Sequence, residues 1–422
     1  MAKTFTPQDI HAVMNALVKQ ATGQQSITVV DSSTFVSAGE LVMGTGSENV
    51  LNSLSIVLGR TFMAVRPYEA KLRIINALNS GIYTNRVRKI SFYAKDAQAS
   101  GDYNTQLFTN LKNGYTNGQN TQANPNSTKS MWEQNQAVPL EMNFAGSDVW
   151  QDSITVYEDQ LAVAFRSESE FGEFLSGIMT EKGNDIESQK EAFNRLAVVN
   201  KIASVYDMRS VMPGSVVNLT SAFNTKNGTN YTSAQLRTTY LKEFLAFFVA
   251  KFKITSDYMT NRSSNYHWSP TKTVDGVAHT LLRHTPKEKQ RLLLFSPLFT
   301  EAEANVLPEI FHDNYLKMEN YEGVTYWQSI NSPEAINITP AVNDTETGLQ
   351  KAGNNVILPY VVGMLYDVDG LMTDYQFESS NTTPLEARKR FRNIWWTFRK
   401  NIISDNTENS VIFIMDDTDV KK

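Results

Sequence analysis

The chain has 422 residues, more than a single hydrophobic core usually holds, so we expect two or three subdomains. Its 39 basic and 44 acidic residues give a formal net charge of -5, which argues against a protein whose main task is to grip a phosphate backbone. The absence of cysteine excludes disulfides, thiolate metal sites and cysteine nucleophiles.

The N-terminal segment lacks the apolar run of a signal peptide, and the chain has no stretch of about 18 apolar residues, so we expect a soluble protein made in the cytoplasm. Thr6 as cap and Pro7 at the first helical position predict an amphipathic helix that ends at Gly23. Beyond it, turn residues alternate with short apolar pieces that form no core of their own. We therefore expect residues 1–60 to form an arm along the body of the protein or along a neighbour.

Two stretches after the arm are typical of core structure. Val57–Tyr83 predicts a strand followed by a short helix, and Val87–Ala94 predicts a strand whose more apolar row contains Ile90 and Phe92. We expect this second strand to pair with a return strand within Val149–Phe165.

The intervening residues 95–147 are polar and contain the turn-forming steps Asn113-Gly114 and Asn117-Gly118. One interpretation is a disordered surface insertion. The other is a projecting hairpin that packs on another subunit, which we favour because so long a loop is uncommon in a compact domain unless it is functional. An apolar alternation supplies its candidate contact residues, Trp132, Val138, Leu140 and Met142.

Ser167–Asp207 is the strongest helical signal in the chain. It opens with a capping-box pattern, and apolar residues then recur on one side of a 3.6-residue period. We favour one unbroken helix, about 60 Å long, although Gly183-Asn184 interrupts the pattern. The opposite side is charged, with Glu191 and Arg195 in favourable i,i+4 order. The acidic residues that we expect to face a basic partner are Glu181, Glu187 and Glu191.

Residues 208–345 alternate helical and strand patterns, which predicts a compact mixed lobe. Ser233–Phe252 has the period of an amphipathic helix. Arg291–Phe295 is typical of a buried strand that leads straight into a helix, and Gly323–Ile330 is typical of another strand.

Residues 346–422 return to strands. In Phe391–Lys400 both faces carry large apolar groups, which predicts a central or covered strand. Basic residues surround it, and three interpretations are open: a nucleic-acid-binding surface, a charged strand rim, or cations that meet an acidic patch on a neighbouring subunit. These residues are Arg388, Lys389, Arg390, Arg392, Arg399 and Lys400.

Motifs for chemistry are scarce. His279 and His284 are five residues apart, which misses the spacing that places two metal ligands on one helical face. Phosphate-binding glycine motifs and the serine-hydrolase elbow are absent. The alternative function is a carbohydrate-binding or glycoside-cleaving protein, in which Asp148 and Asp152 supply carboxylates and Trp132 and Trp150 are sugar platforms.

The order of these parts resembles the major capsid protein of tailed bacteriophages, an α+β shell protein of the Johnson fold. The most similar stretches are the hairpin return into the long helix, ITVYEDQLAVAFRSESEFGEFLSGIMTEKGNDIESQKEAFNRL, and the closing strands RKRFRNIWWTFRKNII and SVIFIM. They suggest the branch found in some short-tailed phages. The resemblance implies an N-terminal arm (1–60), a peripheral domain (61–85, 166–207 as spine helix, and 346–422), an extended β-hairpin loop (86–165) and an axial domain (208–345).

The same resemblance implies a non-enzymatic protein without cofactors that assembles into hexamers and pentamers of an icosahedral shell. The implied partners are other copies of the chain, a scaffolding protein, a portal and decoration proteins, with DNA enclosed and not specifically bound. The implied location is the virion, after assembly in the host cytoplasm. We expect the subunit interfaces to use the loop residues and helix carboxylates named above together with Arg388, Arg390 and Arg392.

Overall fold

A computed structural model gives the fold of the chain, which divides into two compact units. Unit 1 comprises Met1–Asn85, Ala145–Arg195 and Thr373–Ile402; unit 2 comprises Arg86–Phe144, Leu196–Met372 and Ile403–Lys422. The residues that the structure describes are 7–23, 27–45, 72, 75–81, 86–93, 137–146, 148–157, 165, 168–270, 272–274, 277–300, 321–344 and 349–418.

Helices and strands both contribute widely, which confirms the expected α+β class. The α-helices are α1 (Pro7–Thr22), α2 (Ser32–Gly44), α3 (Glu168–Asp207), α4 (Leu219–Asn227), α5 (Ser233–Thr238), α6 (Leu241–Thr260) and α7 (Ser296–Thr300). The strands are β1 (Asn76–Leu78), β2 (Arg86–Phe92), β3 (Pro139–Ala145), β4 (Asp148–Tyr157), β5 (Val216–Asn218), β6 (Lys272–Val274), β7 (Val277–His279), β8 (Gln290–Phe295), β9 (Tyr321–Val324), β10 (Ile336–Ile338), β11 (Ala341–Asn343), β12 (Gln350–Ala352), β13 (Val356–Leu358), β14 (Val361–Asp367), β15 (Leu371–Thr382), β16 (Phe391–Ser404) and β17 (Ser410–Ile414).

In unit 1, α1 and α2 form part of a hydrophobic core that they share with α3 and β16. The predicted first helix is confirmed, and the segment after it contains a second helix, α2, which was not predicted. Asp31 caps α2 and forms a capping box with Thr34, a signal that the turn-rich composition obscured. Buried side chains from both helices meet Phe171 of α3 and Ile394 of β16 in one cluster.

The sheet of unit 1 has the strand order β1-β15-β16-β4, so β16 is central, as its two apolar faces predicted. β4 is antiparallel to β16, with Ile154 opposite Ile394. The prediction that Val149–Phe165 pairs with the strand at Val87–Ala94 is therefore wrong: β2 pairs with β3 instead. The period-2 pattern of β4 fits any partner, so the pattern alone left the pairing unspecified.

The long helix α3 is unbroken over 40 residues, which confirms the favoured prediction. Gly183 is accommodated in its interior, and a Cβ atom there would meet no atom of the described residues within 4 Å. The predicted pair is also present, since Arg195 Nη2 lies 2.7 Å from Glu191 Oε1.

Unit 2 is built on a five-stranded mixed sheet in the order β5-β17-β14-β8-β9. β14 is antiparallel to both β17 and β8, and all of its residues are buried. Phe413 of β17 packs edge-on against Phe248 of α6, with ring centroids 5.5 Å apart. The predicted strand into α7 is confirmed, whereas the predicted helix from Ser233 is divided into α5 and α6.

None of the helices in the described ranges is long and apolar enough to cross a membrane.

Candidate assembly surfaces

The hairpin of β2 and β3 in unit 2 presents its more apolar row to solvent. Ile90 and Phe92 are 51% and 60% exposed, whereas Ser91 and Tyr93 are buried and Lys89 is partly buried. In an ordinary half-buried strand the apolar row faces the core and the charged row faces water. β2 therefore leaves two apolar side chains in water, on the same row as the exposed Arg86 and Arg88, while Lys89 lies on the inward row.

The second strand of the hairpin has the usual polarity. Met142 and Phe144 are buried, and Leu140 is partly buried. Glu141 is exposed on the other row, where its Oε2 atom accepts a hydrogen bond from Arg88 Nη2 at 2.8 Å. The outward face of the hairpin thus joins two apolar side chains to a solvent-exposed ion pair.

A buried ionic network holds the inward row of β2. Lys89 forms ion pairs with Asp405 and Glu408 in the loop between β16 and β17. Arg283 lies 3.2 Å from the same Glu408 carboxylate and donates a 2.6 Å hydrogen bond to Ser91 Oγ. We call Lys89, Arg283, Asp405 and Glu408 the hairpin anchor.

Electrostatics within the anchor favour the charged forms at its centre. Burial disfavours the charge on Lys89, but Asp405 and Glu408 outweigh this cost and raise the pKa of its ammonium. Burial likewise disfavours the Asp405 carboxylate, yet Lys89 and hydrogen bonds from Thr407 hold its pKa below the usual value. For Glu408 burial prevails over both cations, so its pKa is raised.

Lys201 of α3 also binds the loop between β16 and β17, within unit 2. Its Nζ atom donates to Asp405 O at 2.7 Å and to Asn406 Oδ1 at 3.0 Å. Burial lowers the pKa of Lys201 to about 8. The loop of residues 405–409 is buried although every one of its side chains is polar. Lys89, Arg283 and Lys201 offset part of the cost of burying these groups.

The structure separates the loop residues that the sequence nominated for subunit contacts. Trp132 lies outside the described residues. Val138 and Leu140 are partly buried, and Met142 is 6% exposed, so these three lie against or toward their own chain. Their part in a subunit contact stays a prediction.

Two of the three carboxylates of α3 that were predicted to face a basic partner form ion pairs within the helix. Glu187 is buried, with its Oε1 atom 3.6 Å from Lys190 Nζ, and Glu191 pairs with Arg195. The side chain of Glu181 lies outside what the structure describes. A basic partner for these residues stays a prediction, although Glu187 is not on an exposed acidic face.

The basic segment near β16 is divided by the alternation of the strand. Arg388 and Arg390 precede β16 and are exposed, whereas Arg392 and Lys400 point to the inner face of the sheet and are buried. The segment is therefore not one continuous cationic surface. A contact of Arg388 and Arg390 with an acidic neighbour stays a prediction.

Unit 1 has its own exposed face, formed by the outer rows of β4 and β16. Trp395 and Val149 are 36% and 54% exposed there. Tyr157 stacks obliquely on Phe391, with ring centroids 5.7 Å apart, at the same end as the basic segment. Each unit thus carries exposed apolar side chains on a regular β element.

Two of the four residues of the carbohydrate alternative have contacts within unit 1. Trp150 stacks on Phe398 on the inner face of the sheet, with ring centroids 4.6 Å apart. Asp152 is held by Lys182 at 3.0 Å. No group of His, Asp and Glu side chains among the described residues is arranged to hold a metal ion.

Sequence reasoning missed the anchor entirely. Lys89 and Asp405 are 316 residues apart, and no spacing rule joins them. The one available signal is the polar run SDNTENS between two strongly apolar strands, which is equally typical of an ordinary exposed turn.

No protein-family model matches the sequence, and no curated protein matches it. Solved phage structures do match the fold of the chain. The capsid structure of Staphylococcus phage Andhra is 9% identical with a TM-score of 0.49, over 83% of this chain and 88% of that chain. A structure of the head fiber and inner core protein gp22 of native bacteriophage P68 is 9% identical with a TM-score of 0.47, over 83% and 86%. The capsid structure of the Cyanophage P-SCSP1u is 10% identical with a TM-score of 0.40, over 83% and 90%.

These neighbours are phage particles, the class of structure that the sequence resembles. Since their TM-scores are below 0.5, we take the function from the elements and surfaces of this chain.

Proposed function

We propose that the chain is a major capsid protein that self-assembles into hexamers and pentamers of an icosahedral phage head enclosing double-stranded DNA. The observation that carries the proposal is the exposure of two large apolar side chains on β2. Ile90 and Phe92 face water while Lys89 is drawn inward by two carboxylates. An apolar row held outward in this way is stabilised when another molecule covers it.

A second copy of the chain is the partner that best fits this arrangement. The exposed hairpin row is in unit 2, and the exposed sheet face with Trp395 is in unit 1. Two different surfaces on one chain permit heterologous contacts, which close into rings or continue into larger assemblies. Hexamers and pentamers are such rings.

The proposed domains follow the resemblance of the sequence to phage major capsid proteins. Residues 1–60 act as the arm, 86–165 as the extended loop and 208–345 as the axial domain, while the peripheral domain contains α3 as its spine. The proposed interface includes Val138, Leu140 and Met142 of the loop, and it extends to helix carboxylates and to the exposed cations before β16. The full set is Trp132, Val138, Leu140, Met142, Glu181, Glu187, Glu191, Arg388, Arg390 and Arg392.

The remaining partners belong to the same proposal. A scaffolding protein guides assembly in the host cytoplasm, a portal occupies one vertex, decoration proteins bind the finished virion, and the shell has no enzymatic activity. The net charge of -5 suits a wall that encloses DNA without gripping it.

The test is a variant that makes the hairpin row polar. Ile90→Ser combined with Phe92→Ser is expected to fold normally, because both side chains are more than half exposed, and to form no rings or shells by light scattering and negative-stain microscopy. Ile254→Ser is the matched control, since Ile254 is 45% exposed on α6 and outside both surfaces. Shells from the double variant as abundant as those from the unmodified chain would contradict the proposed contact.

A further inference from the structure

Lys400, on the inner face of β16 in unit 1, is enclosed by aromatic rings. Its Nζ atom lies 4.3 Å from the ring centroid of Trp150, 5.2 Å from those of Phe193 and Tyr375, and 6.0 Å from that of Phe398. The residue is 1% exposed. Phe193 belongs to α3, Tyr375 to β15 and Trp150 to β4, so the amine lies where the helix covers the sheet.

The amine has no hydrogen-bond partner among the described residues. An ammonium group carries three donors, and a buried ammonium without acceptors is disfavoured. Ring faces attract a cation, but this attraction is weaker than the cost of removing an ammonium from water. The neutral amine is the form that this enclosure accommodates best.

The charged groups around Lys400 have opposing effects on its proton, and these effects partly cancel. On α3, Glu187 attracts the proton of Lys400 and Lys190 repels it, and these two side chains are 3.6 Å apart. On β15, Glu378 also attracts the proton, and Tyr375 contributes its ring. On β4, Asp148 is opposite Lys400 in the strand register and is exposed, and Asp152 is held by Lys182 at 3.0 Å.

We propose that Lys400 is a proton-sensitive element of unit 1: uptake of a proton at its amine weakens the packing of α3 on the sheet, and release of the proton strengthens it. This inference concerns the folded chain and does not depend on shell assembly. It also gives the basic segment around β16 two unlike parts, exposed cations before the strand and a buried amine within it.

The pH window follows from the enclosure. Burial, followed by repulsion from Lys190, lowers the pKa of Lys400 to about 7, well below the usual 10.5 of a lysine. Below about pH 7 the Lys400 amine is protonated in both the folded and the unfolded chain, and the folded chain is destabilised by the full cost of burying the ammonium group. Between about 7 and 10.5 only the unfolded chain carries it, so stability rises with pH across this window.

The experiment compares urea unfolding of the full chain, followed by tryptophan fluorescence, for the unmodified protein and Lys400→Met from pH 6 to pH 9.5. Lys400→Met is expected to be the more stable protein at pH 6. Its advantage in the folding equilibrium constant should shrink by up to about tenfold for each pH unit above 7. Lys400→Gln, a second neutral replacement, should show the same trend.

Lys182→Met is the control, because Lys182 is a paired lysine facing the same sheet and its pKa is raised by Asp152 and Asp185 in spite of burial. This variant should be less stable than the unmodified protein by an amount that does not change from pH 6 to pH 9.5. The proposal is overturned if the difference between the unmodified protein and both Lys400 variants is constant over this range, or if it grows with pH in favour of the variants.

Discussion

Lys89 on the hairpin strand β2 is ion-paired with Asp405, a fully buried carboxylate 316 residues further along the chain. This contact holds the row of Lys89 inward and so leaves Ile90 and Phe92 outside. The two carboxylates of the anchor require a cation, and the hairpin supplies it. The exposed apolar row is thus a consequence of where the buried charges lie.

Replacing the central cation should therefore destabilise unit 2. Lys89→Met leaves Asp405 without its nearest cation, and we expect the free energy of unfolding to fall by about 3 kcal/mol in urea denaturation. Arg88→Met on the same strand is the control, because the Arg88–Glu141 pair is exposed to solvent and therefore contributes little to stability. Equal losses in the two variants would mean that the anchor contributes nothing beyond a surface ion pair.

Trp395 and Trp396 are neighbours in sequence but lie on opposite faces of β16, 36% and 4% exposed. Trp396→Ala should cost about 3–5 kcal/mol of folding free energy through loss of core packing. Trp395→Ala should cost much less in urea denaturation and should instead reduce the yield of assembled particles. If Trp395→Ala also left assembly at its normal level, the outer face of this sheet would not be a subunit contact.

Two glycines allow opposite predictions for the same substitution. Gly183→Ala should stabilise the protein by up to about 1 kcal/mol, since alanine favours the helix and its Cβ meets no described atom within 4 Å. Gly363→Ala should destabilise it, because a Cβ there would lie 2.6 Å from Leu293 O in the paired strand β8. Thermal unfolding of the two variants checks both signs, and a lower melting temperature for Gly183→Ala would show that α3 requires flexibility at that position.

His267 should make unit 2 sensitive to mild acid. Its ring nitrogens lie 3.0 Å from Asn409 Oδ1 and 3.1 Å from Leu281 O, and burial lowers its pKa to about 4. Between pH 6.5 and 4 the unfolded chain binds a proton that the folded chain does not, so the free energy of unfolding falls as pH falls, by up to about 1.4 kcal/mol per pH unit.

The measurement for this residue is urea denaturation of the unmodified protein and of His267→Asn at several values between pH 7 and pH 4. The unmodified protein should be the more stable at pH 7, and its advantage should narrow towards pH 4. An advantage that is the same at both ends of the range would rule out His267 as the source of the acid sensitivity.

Local patterns predicted the elements of this fold better than their partners. The period of 3.6 residues identified α3, and the two apolar faces of Phe391–Lys400 identified a central strand. The partner of β2 was not predicted correctly, because the alternation of this strand fits a return strand at β3 or at β4 equally well. The capping box of Asp31 was present in the sequence but was hidden among turn residues.

The candidate surfaces were the least predictable part. The apolar row of β2 is visible in the sequence, but an apolar row normally indicates the core-facing side. The ion pairs of Lys89 with Asp405 and Glu408 hold the other row inward, and contacts between segments so far apart leave no periodic signal. In the same way Lys400 belongs to a basic segment by sequence and to the core by the alternation of β16.

We propose that this chain builds a shell from copies of itself. The most direct measurement is the mass and shape of the purified full chain, by light scattering with negative-stain microscopy, over a range of protein concentration and ionic strength. We predict rings of five and six copies or closed particles under some of these conditions. A folded chain that remains a monomer under all of them would contradict the account.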